Sequence, residues 1–343
     1  MSYRRFGVTF LLGVLVAMPA LGQTPAATDP APKTGRPAEK PAAAAALAGI
    51  KPVRNLEYAK PDGKPLALDL FLPEMHDGKP LPVVIWVHGG GWQVGSKERC
   101  PAVPFVRDGF AVASVDYRLT DRAPFPAQIQ DCKAAVRYLR AHAKEYNLDP
   151  ERFGAWGASA GGHLVALLGC TCGNAECEGA SLGNDKESSA VQCVCDWFGP
   201  TDFTALTAPS YDVAPMLTAL FGGKMSEKQE LVKLASPALH VKKVQTPGLK
   251  IPPFLIVQGD TDPLVPMEQS KELSEKLKDA GVEQQLVIVE GQGHGFLGES
   301  RATEFKRVRD FFVKQLKRES KGNPSKDAPK AEAPKDSGAP KPG

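Results

Sequence analysis

Several common signatures are missing from this chain of 343 residues. There is no H-E-x-x-H and no C-x-x-C, and five of the six histidines lie in unrelated segments, so a metal-centred mechanism has no ligand set to start from. The one glycine-rich stretch that resembles a phosphate cradle is not followed by Lys-Ser/Thr, which removes the P-loop reading. Apart from short Ala-Pro-Lys units in the last residues, no stretch repeats, which excludes a solenoid or a propeller. The net charge is only +3, and part of it sits in the two ends, so no nucleic-acid partner is expected. The longest apolar run, residues 6–18, is short of the roughly 20 residues that cross a bilayer. Aromatics are scarce at 7%, and residues 24–46 and 321–343 hold none at all. Those two stretches are rich in Pro, Ala and Lys and have too little apolar surface to fold alone.

What remains divides into four parts. Residues 1–22 read as a secretory signal peptide. Arg4 and Arg5 precede the apolar run, Pro19 interrupts its end, and Ala20-Leu21-Gly22 offers small residues for cleavage before Gln23. The residue directly after that point is Gln23, not a cysteine that could take a lipid. An uncleaved anchor is the competing reading; cleavage predicts a secreted or periplasmic protein with no stable membrane insertion. Residues 23–50 read as a disordered linker and 319–343 as a disordered tail. Residues 51–318 are long enough for one domain that buries about three-quarters of its unfolded surface. Within it, residues 200–252 form a long connection with helical signals at 214–221 and 226–234, a lid-like insertion or simply a surface one.

The periodicity of the folded part alternates. Residues 55–59 and 66–71 predict a short antiparallel pair around Pro61-Asp62-Gly63. Apolar runs at 82–87, 110–115, 152–156, 191–198, 254–258 and 285–289 predict buried strands. Helical spacing covers 126–146, 163–168, 267–280 and 303–316. Strands alternating with helices predict an α/β fold, a doubly wound and mostly parallel sheet with a small helical insertion.

Four segments carry chemistry. Gly157-Ala158-Ser159-Ala160-Gly161 is a G-x-S-x-G motif between a strand and a helix, the context in which such a serine is lifted off the sheet as a nucleophile. His88-Gly89-Gly90-Gly91-Trp92 ends a strand with bare amides suited to an oxyanion, and with the N–H of Ala160, after the serine, two or three donors could converge. His88 reads as a brace for that loop. Asp260 and Asp262 follow a late strand, and only one of two residues so spaced should face a histidine. His294 follows the next strand in a glycine-rich loop. The order Ser159, Asp262, His294 gives nucleophile, orienting carboxylate and base. Trp92 and Trp197 are candidates to line a substrate pocket, against ordinary packing. No cofactor and no metal is called for.

Seven cysteines fit an exported chain. Disulfides among Cys170, Cys172, Cys177, Cys193 and Cys195 are expected without a pairing, except that Cys193 and Cys195 should not bridge each other. Cys132 reads as a packed thiol.

Together with Ser114-Val115-Asp116-Tyr117-Arg118-Leu119, Ala123-Pro124-Phe125-Pro126-Ala127 and Asp196-Trp197-Phe198-Gly199-Pro200-Thr201-Asp202, these motifs resemble the α/β-hydrolase superfamily. The resemblance is to carboxylesterases of the feruloyl/acetyl-xylan esterase-like and hormone-sensitive-lipase-like groups, over about residues 55–316. It implies a serine esterase that removes acetyl or feruloyl groups from a small molecule or a polysaccharide through an acyl-enzyme, with Ser159, His294 and Asp262 as its triad and Gly90, Gly91 and Ala160 as the oxyanion donors. A serine peptidase, an aryl-amide or formamide hydrolase, and a non-catalytic carbohydrate-binding protein are the alternatives on the same fold.

Overall fold

The structure is a computed structural model that describes residues 47–206, 213–241 and 250–317. The chain divides into two units, Met1–Ala44 and Ala45–Gly343, and every described residue lies in the second. The expected signal peptide, nearly all of the linker, the tail and two stretches of the insertion (207–212 and 242–249) fall outside the described residues.

Eight strands form one sheet. They are β1 (Ile50–Ala59), β2 (Leu66–Pro73), β3 (Leu81–Val87), β4 (Ala111–Val115), β5 (Leu148–Ala158), β6 (Cys193–Trp197), β7 (Phe254–Gly259) and β8 (Gln284–Val289). Their order is β1-β2-β4-β3-β5-β6-β7-β8. β1, β2 and β4 pair antiparallel; every other pairing is parallel. All seven residues of β3 are buried, as a strand covered on both faces requires.

Helices cover both faces. On one lie α1 (Ala127–Ala141), α2 (Ala160–Cys170) and, after the short α3 (Ala175–Glu178), α4 (Val213–Phe221), α5 (Gln229–Leu234), α6 (Pro237–His240) and α7 (Met267–Asp279). Leu164, Leu168, Leu273 and Leu277 pack there against Phe153, Ala155 and Val194. Each residue of α2 is buried, so this helix is apolar all round and sits inside the molecule. The other face is closed by α8 (Gly298–Leu316), whose Glu304, Val308, Phe312 and Leu316 recur every four residues on its buried side. It packs on Trp156, Cys193, Cys195 and Trp197.

β1 and β5 extend beyond their predicted bounds and α1 stops earlier, at Ala141. The residues after it are turns, although their apolar spacing continues. The strand order reverses at β3. From β3 the chain steps to β4 on one side, and the next parallel strand, β5, lies on the other. Ligand sites in such sheets lie beyond the carboxyl ends of the strands where the order reverses. Here that crevice receives the loop after β3 and the turn after β5.

Candidate active site

The turn between β5 and α2 is held by close approaches that leave no room for side chains. A Cβ on Gly157 would lie 2.2 Å from the Gly161 carbonyl oxygen, and one on Gly161 would lie 2.1 Å from the Val87 oxygen at the end of β3. Ser159 occupies the point of this turn at φ 56°, ψ −122°, a left-handed conformation that costs a non-glycine residue of order 1–3 kcal/mol. Two hydrogen bonds hold it: its N–H donates to the Trp197 carbonyl at 2.8 Å, and its own carbonyl accepts from the His163 N–H at 3.0 Å. The hydroxyl therefore projects beyond the sheet at the N-terminus of α2.

His294, in the loop after β8, reaches this hydroxyl. Its Nε2 lies 2.8 Å from Ser159 Oγ, and its Nδ1 lies 2.8 Å from Asp262 Oδ2. A proton on Nδ1 satisfies both contacts: Nδ1–H donates to the carboxylate, and Nε2 accepts from the serine. The Asp262 side chain is fully buried. Burial alone would push its pKa up. The bond to His294 and the N–H groups of Leu264 and Val265, at 2.9 and 3.0 Å, outweigh it and hold the pKa below the usual carboxylate range. Asp260 takes another part: its Oδ1 accepts from the Gly291 N–H at 2.8 Å, tying the loop after β7 to the loop after β8.

The loop after β3 faces the same space. Gly90, Gly91 and Trp92 have φ of 113°, 59° and 59°. Gly90 and Gly91 line a cavity of about 270 Å³ together with Ser159 and His294. Neither glycine N–H, nor that of Ala160, donates to a backbone carbonyl among the described residues, so these amides are available to an incoming oxygen. His88 lies behind the loop. It stacks on Tyr117 with ring centroids 4.4 Å apart, its Nδ1 sits 2.8 Å from the Gly89 oxygen, and burial lowers its pKa.

The rest of the cavity is apolar. Trp92, Phe203, Leu206, Val213, Met216, Leu217 and Leu264 form its wall. Met216 lies against the loop after β3, with Sδ only 2.5 Å from where a Gly91 Cβ would be. Trp197 does not line this cavity. Side chains alternate along β6, and its indole falls on the α8 face, among Trp156, Phe198, Phe296 and Phe305. Its contribution to the site is its backbone carbonyl.

Two side chains near the site were not anticipated. Gln258, at the end of β7, donates to Asp262 Oδ2 at 3.0 Å and to the Val265 carbonyl at 3.1 Å, while its own oxygen accepts from Ser270. The last residue but one of a strand leading to the acid is the only sequence signal it offered. Asp196, at the end of β6, is completely buried beneath the turn between β5 and α2; its Oδ1 accepts from the Gly199 N–H, and burial pushes its pKa up to about 7.

All seven cysteines are free thiols, contrary to the disulfides expected. Cys193 and Cys195 are buried on the α8 face, whereas Cys170 and Cys177 belong to the core on the other face, so the sheet lies between the two sets. Cys132 is buried among apolar neighbours on α1. Among the described residues no three His, Cys, Asp or Glu side chains gather to hold a metal, and no helix is long and apolar enough to cross a membrane.

The profile of the BD-FAE family matches residues 68–277, more than half of the chain. Esterase LipQ of Mycobacterium tuberculosis is 31% identical over 227 residues, which cover 64% of this chain and 52% of that protein. The chain thus spans about half the length of this curated relative. A truncated carbohydrate esterase from gut microbiota superposes with a TM-score of 0.68 at 33% identity, over 78% of this chain and 96% of that one. Esterase 2 of Thermogutta terrifontis, solved with propionate and with butyrate bound, gives 0.63 at 26% identity, over 79% of this chain and 95% of that one. On the family match and these likenesses, the chain belongs to the BD-FAE family, an α/β-hydrolase of the carboxylesterase kind.

Proposed function

We propose that the chain is a secreted serine esterase that cleaves short aliphatic acyl esters, acetyl foremost, from a carbohydrate alcohol. The observation that carries the catalytic part is the unbroken relay from Ser159 Oγ through His294 to Asp262, with 2.8 Å at each contact. Ser159 attacks the ester carbonyl as its proton passes to His294 Nε2. Asp262 holds the imidazole in the required tautomer and stabilises its charged form. The oxyanion rests on the N–H groups of Gly90, Gly91 and Ala160. His294 returns the proton to the departing alcohol, then activates water to release the acid and free Ser159.

The wall supports the choice of acyl group. Besides Ser159 and His294, its described side chains are apolar. A feruloyl phenol pressed against it would surrender its bonds to water without replacement, at a cost of about 1–3 kcal/mol. A short alkyl chain loses nothing there. The propionate and butyrate held by the Thermogutta esterase point the same way. For the alcohol, support comes from the carbohydrate esterase of gut microbiota, and from the bifunctional GH43-CE protein of Bacteroides eggerthii at 30% identity and a TM-score of 0.67. Export rests on Arg4, Arg5 and the apolar residues 6–18. It predicts a mature N-terminus at Gln23 on protein recovered from outside the cytoplasm.

The test is a substrate panel on the purified chain: p-nitrophenyl acetate, butyrate and octanoate, methyl ferulate and acetylated xylan. Acetate release from both the aryl ester and the xylan is expected, with methyl ferulate turned over far more slowly. Ser159→Ala should lose about 10⁴-fold or more in kcat. Failure to hydrolyse any ester rejects the function, and a preference for ferulate rejects the acyl assignment.

A further inference from the structure

His163 lies four residues after the nucleophile on α2 and does not line the cavity. It is completely buried, yet both ring nitrogens are engaged. The Trp92 indole N–H points at Nδ1 at 3.2 Å, and Nε2 sits 2.7 Å from the Ala235 carbonyl oxygen. An indole N–H only donates and a carbonyl only accepts. Nδ1 must therefore be bare and Nε2 must carry the proton, so one neutral tautomer alone fits. Burial favours the same form, depressing the pKa to about 4.

The three segments joined by this ring come from distant parts of the chain. Trp92 closes the oxyanion loop, directly after Gly91, in a left-handed conformation that a bulky residue keeps only when its surroundings hold it. Ala235 belongs to the insertion; the neighbouring Ser236 hydroxyl accepts from the Phe203 N–H, and Phe203 is part of the cavity wall. The ring also meets Phe203 edge-on, with centroids 5.0 Å apart. The helix carrying His163 starts at Ser159 itself, whose carbonyl accepts from the His163 N–H.

We infer that His163 is the positioning residue that registers the oxyanion loop, through Trp92, against the nucleophile and the acyl wall. This rests on the esterase reading of the site. The ring touches neither substrate nor the reacting atoms. It acts by fixing where the Gly90 and Gly91 amides stand when the oxyanion forms. Those donors are needed most in the transition state, so their displacement lowers kcat and leaves KM nearly unchanged.

The experiment uses the full chain and p-nitrophenyl acetate, with His163→Leu, His163→Gln, Trp92→Phe and the double variant His163→Leu/Trp92→Phe. His163→Leu should lower kcat about tenfold to hundredfold, as misplacement of a catalytic group does. KM should stay within about twofold, the pattern of a loss confined to the transition state. His163→Gln offers one acceptor and one donor and should recover most of the lost kcat. Trp92→Phe should lose kcat to a similar degree, and the double variant should lose little more than either alone, because both remove one interaction. Wild-type kcat in His163→Leu, or a lower melting temperature with kcat intact, overturns the inference and leaves the esterase reading standing. Should His163→Leu show no cooperative melt, Trp92→Phe decides in its place: unchanged kcat overturns the inference. A wild-type chain inactive on every ester rejects the underlying reading instead.

Discussion

The floor of the cavity and its wall are held by different forces. The floor comes from the loops after β3, β5, β7 and β8, and directional bonds fix it. Asp262 alone receives His294, Gln258 and two backbone N–H groups. The wall comes largely from the stretch after β6, where Phe203, Leu206, Val213, Met216 and Leu217 hold their places by packing. Hydrogen bonds are directional and fix the angle as well as the distance of the groups they join, whereas apolar contacts are non-directional and fill space without aiming any atom. On the proposed function, the floor sets the reaction and the wall sets the acyl group. His163 is where the two regions meet through a polar contact.

The comparison breaks most visibly at the floor. Asp262→Asn keeps the shape of the side chain but no longer favours the Nδ1–H tautomer of His294. It should lower kcat by about 10⁴-fold with the fold intact. A loss below about tenfold would mean that the carboxylate does not orient the base. The wall should respond in selectivity instead. Met216→Ala removes the thioether lying against Gly91 and lengthens the cavity there. The ratio of kcat/KM for p-nitrophenyl octanoate over acetate should rise by about tenfold, the scale on which apolar pockets discriminate by chain length. An unchanged ratio would place the limit on acyl length elsewhere.

The smallest effect concerns stability. Asp196 is buried beneath the turn between β5 and α2 with a pKa raised to about 7. The unfolded chain gives up this proton in the ordinary carboxylate range, while the folded chain keeps it to about pH 7. The resulting stability is complete in acid, below the unfolded pKa, and is lost as pH rises through the folded one. Asp196→Asn does not titrate. Its melting temperature relative to wild type should therefore climb by a few degrees from about pH 4 to about pH 8. A difference constant with pH would show that Asp196 ionises no later in the folded chain than in the unfolded one.

What was legible in the sequence follows the same division. Ser159, His294 and the glycines of the loop after β3 could be read because each sits in a local backbone pattern that glycines and neighbouring strands announce. Asp262 was chosen, but spacing alone left Asp260 as its competitor, since which of the two faces His294 depends on the fold of a loop 32 residues further along the chain. Trp197 was misplaced because alternation along one strand gives two faces without saying which holds the cavity. His163, Gln258 and Met216 act through partners brought together by folding: Trp92 lies 71 residues before His163, and Ala235 lies 72 after it. The disulfide expectation failed for a related reason. Cysteine spacing along the chain does not reveal that a sheet separates Cys170 and Cys177 from Cys193 and Cys195.

The most direct test of the central claim is covalent. Intact chain treated with an aryl organophosphonate should gain the mass of one phosphonyl group, mapped by peptide sequencing to Ser159, and prior replacement of His294 by Ala should slow the labelling severely. The phosphonylated Thermogutta esterase 2 shows that such an adduct forms on a structural relative. Label on another residue, or none on a chain that still hydrolyses esters, would contradict the relay of Ser159, His294 and Asp262.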